Sequence, residues 1–299
     1  MIRPATAGDR PAVLALLRRS LGVGDDPRYE RFFSWKHDEN AFGPSYEWVA
    51  VEDETVVGYR AFLRWEFVVD GEVVRAVRAV DTATHPDHRG KGIFRALTLH
   101  AVEAMTADGA GFVFNTPNDQ SRPGYLTMGW EVVGRLPVAV RPLRARALWR
   151  MARARVPAAR WSLPTEAFEP PAALEDVEVP SAPGWSTNRT PAYLTWRYGL
   201  DDLAYRVVRA DGEAAVLRLR ERGPLVEATI AEAWGETIVA RLPRLLRTAT
   251  SADVAVRIGG PLGRAITSGG PTLTWRALAR HDRPSLDAWS LTTGDIELF

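Results

Sequence analysis

Residues 77 to 100 constrain the fold of this chain more than any other stretch: a strand runs into a glycine-rich turn and emerges as a helix. Val77 to Thr84 is β-branched and strand-like, His85-Pro86-Asp87 turns the chain, and Arg89-Gly90-Lys91-Gly92 opens into Ile93-Phe94-Arg95-Ala96-Leu97-Thr98-Leu99-His100, which has helical character. The first N–H groups of such a helix have no intrahelical acceptor and point one way, and the helix dipole adds partial positive charge at the same place. A junction of this kind holds a phosphate or pyrophosphate.

Composition removes several alternatives. A length of 299 residues allows one large domain or two ordinary ones. Apolar residues at 46% and charged residues at 25% describe a globular protein. A net charge of +1 supplies no general field for nucleic acid or membrane. The absence of cysteine excludes disulfides, thiolate metal sites and a thiol nucleophile. No two of the five histidines are spaced as a helical metal pair, and His85 and His88 flank a turn, so no metal is expected. No apolar run approaches the ~20 residues of a membrane span. The start, MIRPATAGDRPAVLALL, lacks the order of a secretory signal, and a cytoplasmic location is expected.

Periodicity sets out the remaining elements. Asp9 and Pro11 start a helix with a stripe of Val13, Leu14, Leu17 and Leu21. Residues 22–45 read as an acidic loop. Two hairpins come next, turning at Glu52-Asp53-Glu54 and at Asp70-Gly71, and Gly111 to Phe114 is a further core strand. Residues 141–160 carry seven arginines and no acid. They read as a connecting amphipathic helix with a solvated basic face, the competing readings being a membrane surface or RNA contact. Prolines from Pro157 to Pro183 then mark a linker.

The second half loosely echoes the first. Phe33-Ser34-Trp35-Lys36 with a hairpin after it is matched by Leu194-Thr195-Trp196-Arg197 and a hairpin at Asp211-Gly212. Where the first copy has its glycine turn, the second has Ala231-Glu232-Ala233-Trp234-Gly235-Glu236, which lacks a phosphate cradle.

Two nucleotide motifs fail at the cradle. Lys91-Gly92-Ile93 does not close a Walker loop, and Arg95 stands where a dinucleotide fingerprint needs its third glycine. Arg89-Gly90-Lys91-Gly92-Ile93-Phe94 instead resembles the Arg/Gln-x-x-Gly-x-Gly/Ala signature of the GNAT N-acetyltransferases, departing from it at Phe94, where a small residue is usual. Asn118, Tyr125, Gly129 and Trp130 match a second signature of the family, with Trp for Phe.

The resemblance covers residues 1–140. It implies an α/β (α+β) fold of two GNAT-like domains, each a twisted, mixed and mostly antiparallel sheet flanked by helices. The expected division is a catalytic domain at 1–140, a basic helix and linker at 141–184, and a degenerate GNAT-like domain at 185–299. It further implies acetyl-CoA as cosubstrate, with the backbone of Ala83 and Thr84 pairing the pantetheine amides like an added strand. The amides of Gly90, Lys91, Gly92, Ile93 and Phe94, with the Arg89 and Lys91 side chains, would hold the pyrophosphate, and Asn118 the pantetheine arm. Tyr125 would protonate the departing thiolate.

The acceptor would be the amine of a small molecule, attacking the thioester directly, and acidic 22–45 suggests a cationic one. Asp81 is the candidate base, ahead of Asp119, Glu47 and the terminal carboxylate of Phe299. No nucleic acid or membrane partner is expected, and a homodimer is compatible with the sequence. The competing function is a non-catalytic acyl-CoA sensor or interaction module.

Overall fold

Between Tyr46 and Thr84, β-branched and aromatic residues outnumber helix formers, and this stretch folds into three antiparallel strands. In the computed structural model, which describes residues 1–22, 24–262, 265–279 and 282–297, the chain divides into two units. Unit 1 comprises Met1–Gly134 and Thr272–Ser285, and unit 2 comprises Arg135–Pro271 and Leu286–Phe299.

Unit 1 contains β1 (Ile2–Pro4), α1 (Arg10–Leu21), α2 (Arg28–His37), β2 (Tyr46–Glu52), β3 (Thr55–Val69), β4 (Glu72–Thr84), α3 (Ile93–Ala107), β5 (Phe112–Asn115) and α4 (Arg122–Leu126). Its sheet runs β1-β2-β3-β4-β5 and ends on residues 272–277. Asp53 and Glu54, and then Asp70 and Gly71, all have positive φ, as tight hairpin turns require. All pairs are antiparallel except β4 with β5. Helix α3 crosses between those two and buries Leu97, Ala101, Val102 and Met105 against Trp48, Val57, Val77 and Val113. Gly58 permits this approach, because a Cβ there would lie 2.5 Å from Cγ2 of Ile93.

Two irregularities distort the end of β4 that leads into the glycine turn. Arg60 pairs with Thr82 and Phe62 with Ala79, so Val80 and Asp81 face the single residue Ala61, a β-bulge. Pairing of β4 with β5 spans only Ala76–Phe112 to Arg78–Phe114. Beyond it the strands splay, leaving one edge of the last residues of β4 without a neighbouring strand.

The acidic segment 22–45 is not the loop expected from its charge. Its centre is α2, with Tyr29, Phe32, Phe33, Lys36 and His37 buried on one face. The carboxylates of Asp26, Asp38 and Glu39 are paired with Arg28, Arg10 and Arg31 at 2.7 Å each, which removes most of the expected acidic field.

Unit 2 carries the rest of β6 (Glu131–Pro142), α5 (Ala147–Arg153), the two-residue β7 (Ser186–Thr187), α6 (Pro191–Tyr198), β8 (Arg206–Ala210), β9 (Glu213–Arg222), β10 (Leu225–Trp234), α7 (Glu236–Ala249), β11 (Val254–Ile258), the first part of β12 (Ile266–Ala277) and α8 (Thr293–Ile296). Its strands take the order β6-β11-β10-β9-β8, antiparallel except β10 with β11. The succession helix, hairpin, antiparallel strand, crossover helix and parallel strand is thus the same in both units.

The division differs from the one expected at residues 140 and 184. Residues 272–285 return to unit 1 because Trp275 pairs with Phe114 and Ala277 with Phe112. The proline-rich linker belongs to unit 2, where Leu163 bridges Leu219 and Glu169 bridges Val207. The basic run is also held within unit 2. Arg146 and Arg150 both bind the buried Asp253 at 2.7 Å, and Arg144 donates to the carbonyls of Arg247, Thr250 and Ala252 around the end of α7. Among the described residues, no helix is long and apolar enough to cross a membrane.

Candidate active site

The strand–turn–helix junction of unit 1 has the geometry its sequence implied. Gly90 (φ 74°) and Gly92 (φ 77°) take left-handed conformations, which turn the chain into α3 without a Cβ penalty. Helix α3 has no side-chain cap and no acid in its first turn. Among the described residues no acceptor meets the backbone N–H groups of Gly90 to Arg95. Beside them lies a cleft of about 440 Å³, lined by Ser20 of α1, by Thr82, Ala83 and Thr84 of the splayed strand, and by Arg89, Gly90, Gly92, Ile93 and Phe94. The exposed Arg89 guanidinium has no partner among the described residues, so it is free to meet an anion at the rim. Lys91 lies outside the cleft lining, with its Nζ 3.3 Å from His88 Nδ1 and 3.8 Å from a Glu52 carboxylate oxygen.

Substituting Gly92 tests this cradle. Gly92→Val should cost about 1–2 kcal/mol of stability through the left-handed backbone. It should also raise the Kd for CoA measured by calorimetry; unaltered CoA binding would exclude these amides from the site.

Tyr125 lies on α4, downstream of β5, and is 4% exposed. Its Oη accepts a hydrogen bond from Nη2 of Arg60 at 2.7 Å. The same guanidinium donates through Nη1 to the carbonyl of Val80 at 3.0 Å. One side chain therefore links the phenol to the bulged, splayed part of β4. Phe94 stands edge-on to Tyr125, with ring centroids 5.4 Å apart at 89°. The exposed Asn118 uses its Oδ1 locally, accepting from the N–H and hydroxyl of Ser121 at 2.8 and 2.9 Å. That turn sets the start of α4 and leaves the Asn118 amide N–H₂ to donate elsewhere.

The surroundings of Asp81 do not suit the base role expected of it. The residue is 9% exposed, with both oxygens 3.0 Å from Lys36 Nζ and Oδ2 2.9 Å from His37 Nε2. Burial opposes its ionisation, but the Lys36 charge and the His37 contact outweigh burial, and the carboxyl is held well below the usual carboxylate range. A carboxylate stabilised in this way is a weak proton acceptor. His37 extends the chain of contacts to Ser45, 2.9 Å from its Nδ1. The other carboxylates are also engaged: Glu47 accepts from the Tyr59 hydroxyl at 2.5 Å, and the exposed Asp119 pairs with Arg122 at 2.8 Å. Phe299 lies outside the described residues.

Sequence reasoning missed Arg60, Ser20 and the pair Lys36–His37. Arg60 left a signal, a lone cation inside the apolar run Tyr59 to Leu63. Ser20 left none.

In unit 2 the start of α7 is already met by a side chain of the same unit. Gly235 precedes α7, and a Cβ there would fall 2.1 Å from the Glu213 carboxyl carbon. Glu213 also accepts the N–H of Ile238 at 2.6 Å. A carboxylate from the protein already occupies the anion position at this helix start.

Comparison with known proteins bears on the domain and the fold. Residues 1–133 match the family model described as an acetyltransferase (GNAT) domain. No curated protein matches the chain by sequence. Among solved structures, a probable N-acyltransferase from Enterococcus faecalis has a TM-score of 0.68 at 12% identity, covering 93% of this chain and 72% of that one. The GCN5-related N-acetyltransferase of Anabaena variabilis has a TM-score of 0.62 at 14% identity, covering 93% and 73%. Eis1 of Mycobacterium abscessus has a TM-score of 0.57 at 15% identity, with the same two coverages. Residues 1–133 therefore carry the similarity to the acetyltransferase (GNAT) domain, and the chain shares the fold of these three solved structures.

Proposed function

We propose that the protein is an acyl-CoA-dependent N-acyltransferase, with acetyl-CoA as donor and a small-molecule amine as acceptor. The observation that carries this reading is the run of unpaired N–H groups from Gly90 to Arg95 beside the splayed end of β4. Those amides, with Arg89, would hold the pyrophosphate, and Lys91 would add charge at the rim. The free edge at Ala83 and Thr84 would pair the pantetheine amides. Asn118 would donate to the pantetheine arm through its amide.

In this reading the unprotonated amine attacks the thioester carbonyl, forming the C–N bond and a tetrahedral oxyanion. Collapse breaks the C–S bond, and the thiolate takes the proton of Tyr125 Oη. A water carries the proton shed by the nitrogen to the phenolate, restoring Tyr125. Asp81, already neutralised by Lys36 and His37, would brace α2 against β4 rather than accept that proton. The common order of elements in the two units supports descent from one duplicated GNAT-like module, the second copy having closed its anion site with Glu213.

The test is twofold. Calorimetry with acetyl-CoA should give one site per chain, abolished by Arg89→Ala combined with Gly92→Val. A panel of primary amines, assayed by thiol release, should give turnover with at least one. Absence of CoA binding overturns the proposal; binding without turnover on any amine would make the protein a sensor.

A further inference from the structure

Arg60 is a buried cation of unit 1, 0% exposed, with no carboxylate beside it among the described residues. Its two contacts are with neutral oxygens, the Val80 carbonyl and the Tyr125 hydroxyl, and its Nε has no partner. Taking an unpaired cation out of water is costly, and one that persists needs another source of stabilisation. Part of it is aromatic: the guanidinium carbon lies 4.2 Å from the ring centre of Phe62, 5.4 Å from that of Tyr125 and 5.7 Å from that of Phe94. The rest of the charge is turned toward the Tyr125 hydroxyl, 2.7 Å from Nη2.

We infer that Arg60 is the positioning residue of the acyl-transfer step. It holds the Tyr125 phenol by one lone pair and leaves the O–H hydrogen to donate to the leaving sulfur. This rests on the reading of Tyr125 as the proton donor. Three facts support it independently of that role. The Arg60 hydrogen bond fills an acceptor position on Oη, so the hydroxyl donates in another direction. Through Nη1 the guanidinium is anchored to the bulge of β4, so the phenol is fixed relative to the strand edge on which a pantetheine would lie. Phe94, whose size departs from the small residue usual at its position, packs edge-on against Tyr125 and closes the aromatic surround of Arg60. A small residue there would leave both unsupported. The positive charge also favours anion formation at the site, in a region where water does not screen it.

The experiment is a double-mutant cycle on the whole chain, with kcat from thiol release and acetyl-CoA affinity by calorimetry. Arg60→Met should lower kcat by roughly tenfold to a hundredfold with acetyl-CoA affinity unchanged. In the Tyr125→Phe background it should lower kcat no further. Arg60→Lys keeps the charge but one ammonium cannot span both oxygens; it should recover part of the loss, and that gain too should vanish with Tyr125→Phe. If Arg60→Met does not fold, Arg60→Lys alone decides, since wild-type kcat in that variant overturns the inference. An equal loss in both backgrounds overturns it as well. Full activity of Tyr125→Phe alone is a separate result that removes the proton-donor reading itself.

Discussion

Replacing Tyr125 by phenylalanine should lower kcat by about a hundredfold to a thousandfold, the range expected when a positioned general acid is removed. Acetyl-CoA affinity should hold, because the groups assigned to the cofactor lie on β4, the glycine turn, α3 and the Asn118 turn rather than on the Tyr125 hydroxyl, and phenylalanine keeps the packing against Phe94 and Trp130. Loss of the hydroxyl leaves Arg60 with the Val80 carbonyl alone, so a stability cost of about 1–3 kcal/mol accompanies the change. The kinetic and structural parts separate cleanly: steady-state thiol release gives kcat, calorimetry gives the Kd for acetyl-CoA, and thermal unfolding gives the stability. A kcat equal to wild type would assign the proton to another donor. Equal losses in kcat and in cofactor affinity would make Tyr125 a packing residue.

What the sequence made legible was local. The cradle could be read because glycine spacing, the strand before it and the helix after it lie within a few turns of chain, and dipole and amide geometry are set by that order. Hidden features are those whose partners are remote. Arg60 belongs with Tyr125 only after β3 and α4 are folded onto the same sheet end, and residues 272–277 join unit 1 only by pairing with β5. Helix α2 is a different kind of miss. Tyr29, Phe32, Phe33, Lys36 and His37 have the spacing of one helical face, but the buried Trp35 off that face, surrounding charge and two polar members of the face disguised it. Lys36 and His37 count as core there only because Asp81 waits opposite them, a fact that hydropathy does not carry.

Asp81→Ala should be strongly destabilising, at about 3–5 kcal/mol, because it removes the carboxylate facing the Lys36 ammonium in a site only 1% exposed. For a domain of this size that corresponds to a fall in melting temperature of roughly 6–20 °C. Replacing the pair together, Lys36→Met with Asp81→Leu, should recover a large part of the loss, since no charge is then buried without its counterpart. The same group sets an acid limit. Its native pKa lies below the unfolded value, so its stabilisation is complete above the ordinary Asp pKa of about 3.9 and drains away as pH falls below it. Denaturation in urea at pH 7, 5, 4 and 3 should therefore show this contribution intact down to about pH 4 and wild type losing stability from there to pH 3, with the Asp81→Ala variant losing less across that interval. Parallel curves would mean that the Lys36–Asp81 contact contributes nothing to folding. Activity supplies the last discrimination. A base role predicts that folded Asp81→Asn loses kcat outright, whereas a bracing role predicts that activity per folded molecule stays near wild type and that the loss tracks the unfolded fraction alone.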